Sequence, residues 1–365
     1  MQPLSRRSFA QLLGAGTVAA AAAPSLSLLA APPAVPSVVR LSANENPYGP
    51  SPAALRAASD ALRFAQLYPD EALDLLQGDV AKLHGLSTDE VVIGCGSSEI
   101  LKIASLAYVD AKRKLVMADP TFEAIGHYAR PSGAEVVKVP LTREYAHDLP
   151  RMLEAAKGAG LVYVCNPNNP TATITPKNVL RDFLDALPAS TVVLVDEAYH
   201  HYAESPQYES VAPLVKSKPN LIVARTFSKV YAMAGLRCGY AVAQKPVIDS
   251  LFANMHWDSL NIVVLHAARA ALADTRHVAE AKKRNAAAKA WLVRELESLG
   301  HHVLPSEANF IMVDTGRDVR PLIASMRERG VQVGRLFPAL PQFMRVTVGR
   351  PEELARFAEE FRRVV

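Results

Sequence analysis

From Val39 onward the chain alternates short apolar, β-branched runs with longer stretches rich in Ala, Leu, Lys and Glu. Short apolar runs bounded by polar or glycine-rich turns read as buried strands, and the amphipathic stretches between them read as helices. The spacing predicts strands over Glu90–Ile93, Lys114–Ala118, Glu135–Val139, Gly160–Val164, Thr191–Val195, Leu221–Arg225 and Cys238–Val242. It predicts helices over Ala53–Phe64, Glu71–His84, Ser98–Tyr108, Pro176–Leu187 and Pro246–Phe252. This rhythm is that of an α/β architecture with a largely parallel sheet, whose carboxyl edge is where ligands bind. The stretch Val263–Leu299 reads as one or two helices leading to a smaller α+β region from about His301. That region alternates again through Ala308–Val313, Val319–Arg329, Val331–Gly334, Phe343–Val348 and Pro351–Val364.

Composition narrows the class. Half of the 365 residues are apolar and 21% are charged, enough to bury a large core. Forty basic against thirty-six acidic side chains leave +4, too small a surplus over this length for a nucleic-acid footprint. Cys95, Cys165 and Cys238 are odd in number, far apart and without a CxxC pair, so neither a disulfide framework nor a zinc site is expected, and no metal follows from them.

Residues 1–36 carry only the charges of Arg6 and Arg7. Ser5-Arg6-Arg7-Ser8-Phe9, a weakly apolar stretch and then small residues resemble a twin-arginine export signal. Ala10–Ala23 is shorter than the roughly 20 residues that cross a bilayer, so no stable membrane anchor is expected. Periplasmic or secreted location follows as an expectation, with a cytoplasmic protein bearing an N-terminal extension as the alternative.

Four segments concentrate unusual chemistry at predicted strand ends. Arg225-Thr226-Phe227-Ser228-Lys229, followed by Ala234-Gly235-Leu236-Arg237-Cys238-Gly239, suits a Schiff-base lysine beside an anion site, since desolvation exposes the nucleophilic amine; a solvated strand-capping lysine is the bland reading. Asp196-Glu197-Ala198-Tyr199 ends an apolar strand with an acidic pair, where a carboxylate could hold a cationic ring nitrogen or a magnesium ion, or cap a helix. Cys165-Asn166-Pro167-Asn168-Asn169-Pro170-Thr171 is a turn that places amides rigidly. Gly94-Cys95-Gly96-Ser97-Ser98-Glu99 leads from strand to helix and offers a phosphate seat without a dinucleotide or Walker fingerprint.

In this order, with Asn44-Glu45-Asn46-Pro47-Tyr48-Gly49-Pro50, Tyr68-Pro69-Asp70, Pro120-Thr121-Phe122, Ala308-Asn309-Phe310 and Arg345-Val346-Thr347-Val348-Gly349, these segments resemble the fold-type I pyridoxal-phosphate aminotransferases of class I/II, and within them the histidinol-phosphate aminotransferases. The resemblance covers nearly the whole chain after residue 36. It implies the aspartate aminotransferase-like fold of PLP-dependent transferases: an N-terminal arm (37–50), a large domain with a mostly parallel seven-stranded sheet (51–262), connecting helices (263–300) and a small α+β domain (301–365) packing with the arm. It implies pyridoxal 5'-phosphate as cofactor, an amino donor and a 2-oxo acid as substrates, and a homodimer with shared sites.

Residue by residue, the resemblance implies Lys229 as the cofactor-binding and proton-shuttling amine and Asp196 as partner of the pyridine nitrogen. Asn169 and Tyr199 would bond the ring's phenolic oxygen. Gly96, Ser97, Ser98, Thr226, Ser228 and Arg237 would seat the phosphate, Phe122 would stack on the ring, and Tyr68 would reach the phosphate of a neighbouring subunit. Arg345 would pair with the substrate carboxylate, with Asn44, Tyr48 and Arg335 nearby.

Two departures bear on substrate. The relatives' Asn-Pro-Thr-Gly turn is here Thr171-Ala172 at its end, and the arginine of their Gly-Val-x-Val-Arg segment is displaced by one, to Arg335 after Gly334. In a continuous strand one step turns a side chain to the other face, unless Gly334 makes a bulge. The same scaffold supports decarboxylases of phosphorylated amino acids, and histidine biosynthesis is cytoplasmic. The expectation is therefore an aminotransferase of unassigned amino-acid specificity, with histidinol-phosphate aminotransferase proper or such a decarboxylase as alternatives.

Overall fold

The seven short, mostly apolar runs between Glu90 and Val242 become one seven-stranded sheet, and four further strands form two two-stranded sheets, in the computed structural model, which describes residues 38–365. The strands are β1 (Val39–Leu41), β2 (Val91–Gly94), β3 (Lys114–Asp119), β4 (Val136–Pro140), β5 (Ala159–Cys165), β6 (Val192–Asp196), β7 (Leu221–Thr226), β8 (Gly239–Val242), β9 (Phe310–Asp314), β10 (Val331–Val333) and β11 (Phe343–Thr347). The helices are α1 (Pro52–Ala61), α2 (Asp70–His84), α3 (Ser97–Tyr108), α4 (Ala124–Ala129), α5 (Leu149–Ala155), α6 (Lys177–Ala186), α7 (Lys245–Phe252), α8 (Ile262–Ala273), α9 (Thr275–Ser298), α10 (Val319–Glu328) and α11 (Pro351–Val364). The twin-arginine-like segment lies outside the described residues. Among the described residues no helix is long and apolar enough to cross a membrane.

The sheet order is β2-β8-β7-β6-β5-β3-β4, with β8 antiparallel to both neighbours and the remaining pairs parallel. The central strands β5, β6 and β7 are buried along their whole length, as a sheet covered on both faces requires. Alternate side chains feed two cores: Val162, Val164 and Val195 pack on one face, Leu161, Tyr163 and Leu194 on the other. Register brings Cys165 opposite Asp196, Asp196 opposite Ala224 and Thr226 opposite Gly239, so the chemistry-bearing residues collect at one edge.

A further core joins Val39 and Leu41 to Leu292, Ile311, Val331 and Phe357. There β1 pairs in parallel with β10, and β11 pairs antiparallel with β9. The described residues form one compact unit. The segment after β1 is pinned by Asn309 Nδ2, which donates to the carbonyls of Asn44 (3.1 Å) and Glu45 (3.3 Å), and by Thr347 Oγ1, which accepts from Asn44 N–H at 2.9 Å. The long Ala-rich stretch is two helices, because Asp274 accepts from His277 N–H at 3.0 Å and caps a new helix at Thr275. Between β10 and β11 the chain leaves the ladder: β10 ends at Val333, and Gly334 N–H bonds the carbonyl of Arg345 at 2.8 Å. Arg335 therefore lies beyond the strand, where the two-face alternation no longer governs it.

Candidate active site

At the carboxyl edge of the sheet lies a cavity of about 300 Å³. Asn44, Ser97, Ser98, Phe122, Asn169, Asp196, Tyr199, Thr226, Ser228, Lys229, Arg237, Arg335 and Arg345 all line it, joined by Ala43, Thr121, Glu123, Cys165 and Phe337. Residues from widely separated stretches of sequence thus meet around one space.

On one side is an anion seat. Ser97 opens α3, and Gly96 before it has φ 76, a backbone that glycine adopts without strain. A Cβ at Gly96 would lie 2.3 Å from Arg237 Nη2, so the guanidinium rests directly on the glycine backbone. Arg237 itself has φ 65, and its Nη1 donates to the carbonyl of Ala234 at 2.8 Å. Thr226 Oγ1 donates to Ser228 Oγ at 2.9 Å and accepts from Ser228 N–H at 3.1 Å. Gly239 in β8 permits this closeness, since a Cβ there would meet Ser97 N at 2.4 Å. Glu99 fastens the loop by accepting from Cys95 N–H (2.6 Å) and Ser259 Oγ (2.9 Å).

Asp196 forms the floor. Its oxygens accept from Tyr163 Oη at 2.9 Å and Ala198 N–H at 3.1 Å, both neutral donors. Burial pushes its carboxyl up to about 6, opposed by the Tyr163 and Ala198 hydrogen bonds and the Lys229 charge. A buried carboxylate with no hydrogen-bonded cation among the described residues is an acceptor to which a protonated ring nitrogen would donate. Tyr199 accepts from Asn44 Nδ2 at 3.0 Å, which leaves its own hydroxyl proton for the cavity.

Lys229 Nζ lies 5.4 Å from the centre of the Tyr199 ring and donates to the carbonyl of Asn44 at 3.1 Å. Desolvation, reinforced by the Arg345 guanidinium, pulls the amine down to about 8, against the pull of Glu45 and Asp196. Arg345 Nη1 donates to Asn169 Oδ1 and Nη2 to the carbonyl of Ser42, both at 2.7 Å. Its buried Nε has no hydrogen-bond partner among the described residues, and burial lowers its proton affinity. The acceptors of Arg345 are both neutral, so an anion is the partner its guanidinium lacks among the described residues. Farther out, the Phe337 ring lies beside both Arg345 (5.2 Å to the ring centre) and Arg335 (4.4 Å), and Arg335 pairs with Glu123 at 2.6 Å.

One residue expected here, Tyr48, lies elsewhere, and Tyr68, expected at a neighbouring subunit's phosphate, faces outward. Tyr48 sits between Arg284 and Arg350, 4.8 and 5.7 Å from its ring centre, because Asn46 Oδ1 accepts from Tyr48 N–H and Gly49 (φ 76) turns the chain away. Tyr68 stands 78% exposed in the turn before α2, outside the cavity. Tyr163, Glu123 and Phe337 were absent from the sequence expectations. For Tyr163 a signal existed: a lone hydroxyl in the otherwise apolar run of β5.

The family described as aminotransferase class I and II matches residues 36–361. The chain is 40% identical over 324 residues to a histidinol-phosphate aminotransferase of Symbiobacterium thermophilum, covering 88% of this chain and 89% of that one. It is 39% identical over 335 residues to one of Moorella thermoacetica, covering 91% and 86%. Among solved structures it resembles the histidinol-phosphate aminotransferase of Sinorhizobium meliloti in complex with pyridoxal-5'-phosphate, with 29% identity, a TM-score of 0.82 and coverage of 90% of this chain and 92% of that one. A family match over nearly all of the described chain, around an edge where an amine, a buried carboxylate and two arginines converge, makes this chain a member of the class I and II aminotransferases.

Proposed function

We propose that this chain is a pyridoxal-phosphate-dependent transaminase that moves an amino group between an amino acid or related amine and a 2-oxo acid. The observation that carries this reading is the convergence of Lys229, Asp196, Arg237 and Arg345 on one cavity. Ser97, Ser98, Thr226, Ser228 and Arg237 would hold the phosphate, Asp196 the ring nitrogen, Asn169 and Tyr199 the phenolic oxygen, and Phe122 a face of the ring. Bound there, the cofactor supplies an electron sink for the pair released when the substrate Cα loses its proton. Lys229 Nζ would be the amine that holds the cofactor's aldehyde end and, when free, would serve as general base for the substrate's Cα proton. Arg345, already aimed by Asn169 and Ser42, orients the substrate carboxylate. Incubation with pyridoxal phosphate is expected to give a visible absorbance band that Lys229→Ala abolishes; its absence from the wild type sinks the reading.

Substrate is decided by kcat/KM across a panel of amino donors that includes histidinol phosphate. The relatives' names and Arg335 at the cavity rim favour histidinol phosphate. The N-terminal segment favours a different donor, because a folded, cofactor-loaded enzyme is a natural passenger for twin-arginine export, and a cytoplasmic intermediate is not available outside. We place the enzyme in the periplasm on that ground, and cell fractionation checks it. We also propose a homodimer in which the exposed Tyr68 reaches the phosphate seat of a second copy.

A further inference from the structure

We propose that Tyr163 is the positioning residue for Asp196: its hydroxyl fixes the orientation of the carboxylate and holds it ionised toward the ring nitrogen of the cofactor. The inference rests on the reading of pyridoxal phosphate above.

Tyr163 lies in β5 opposite Leu194, and Asp196 follows two residues later on β6, so the two form a diagonal cross-strand pair on one face of the sheet. Such diagonals place Cβ atoms about 7 Å apart, a gap that a tyrosine bridges and an aliphatic side chain does not. The ring is 0% exposed and packs in the apolar core, where phenylalanine would pack as well. What tyrosine adds is one O–H, and it donates to Asp196 Oδ2 at 2.9 Å. Ala198 N–H takes Oδ1 at 3.1 Å. The two donors hold the carboxylate from opposite ends, and the plane they define is set before any ligand enters. A hydrogen bond to an ionised acceptor in a dry site favours the ionised form more than the neutral one.

The charged and titratable groups around Asp196 are Tyr163 and Cys165 on β5, Glu197 and Tyr199 just after the end of β6, and Lys229 after β7. On β7 itself the register partner is Ala224, which carries no charge. Lys229 favours the carboxylate and Glu197 disfavours it. Lys229 Nζ bonds the Asn44 carbonyl rather than Asp196, so among the described residues Tyr163 is the side chain hydrogen-bonded to the carboxylate.

Tyr163→Phe tests this in two ways. In the holoenzyme the acid limb of the kcat profile is expected to move up by about one pH unit, as removal of a charge-assisted bond worth roughly tenfold requires. In the full chain freed of cofactor, the fall in Tm caused by Tyr163→Phe is expected to be small at low pH, where Asp196 is protonated, and to grow as pH rises and it ionises. In an Asp196→Asn background that pH-dependent part is expected to vanish. An unmoved acid limb, or a fall in Tm equal at every pH and persisting with Asp196→Asn, overturns the proposal and leaves Tyr163 as packing. Failure of the wild type to take up pyridoxal phosphate would refute the functional reading instead, and the Tm comparison would still decide the pair.

Discussion

Lys229 sits where an amine is most easily made nucleophilic, desolvated and beside the Arg345 cation. With its affinity for a proton lowered to about 8, it is ammonium below that pH and free amine above it. The rate at which cofactor-free protein captures pyridoxal phosphate is therefore expected to rise through about pH 8 and level off above it; a flat profile there would show that another group does the capturing. Gly96 is equally open to test. Gly96→Ala forces a left-handed alanine and drives its methyl into Arg237 Nη2, which displaces the guanidinium from the phosphate seat. The Kd for pyridoxal phosphate is expected to rise at least about tenfold, the scale of one charge-assisted hydrogen bond to the phosphate. An absorbance titration measures it. Cys95, Cys165 and Cys238 stay unpaired, and burial raises the Cys165 and Cys238 thiols, so both are poor nucleophiles.

Among the elements, β6 and β7 carry most of the site, and one buried ion pair ties their ends. Glu197 Oε2 accepts from Arg225 Nε at 3.0 Å and Nη2 at 2.8 Å, while Glu197 Oε1 takes Val211 N–H at 2.7 Å. Glu197→Gln leaves Arg225 buried without its countercharge, and chemical denaturation is expected to show a destabilisation of about 3–5 kcal/mol; a value below about 1 kcal/mol would mean the pair is dispensable. These strands were legible in the sequence because both of their faces are buried, which leaves uninterrupted apolar runs. The three residues of β1 were not legible, since Val39–Leu41 gains strand character only by pairing with β10 far along the chain. The short helices α4 and α5 were missed for a related reason, being too brief to show a period. The site was legible wherever a motif placed its residue at a strand end, as for Asp196, Lys229 and Asn169. It was not legible where position depends on how strands stop or pair: Arg335 reaches the cavity rim because β10 ends at Val333, and Tyr163 reaches Asp196 across a diagonal.

At the scale of the molecule, arm, sheet edge and C-terminal strands close around the cavity together. Asn44 illustrates this, bonding Tyr199 in the turn after β6 while held by Thr347 and Asn309 of the C-terminal part. Tyr68, exposed in a single chain, is predicted to be covered in a dimer. Analytical ultracentrifugation should find two copies, and Tyr68→Phe should weaken cofactor binding without dissociating them; a monomer of full activity would contradict the shared site. The central claim, that this edge performs transamination, is tested most directly by mixing loaded enzyme with an amino donor and no acceptor. The account predicts one equivalent of 2-oxo product per chain, no carbon dioxide, and no product with Lys229→Ala. Carbon dioxide in place of the 2-oxo acid, or undiminished product from Lys229→Ala, would contradict it.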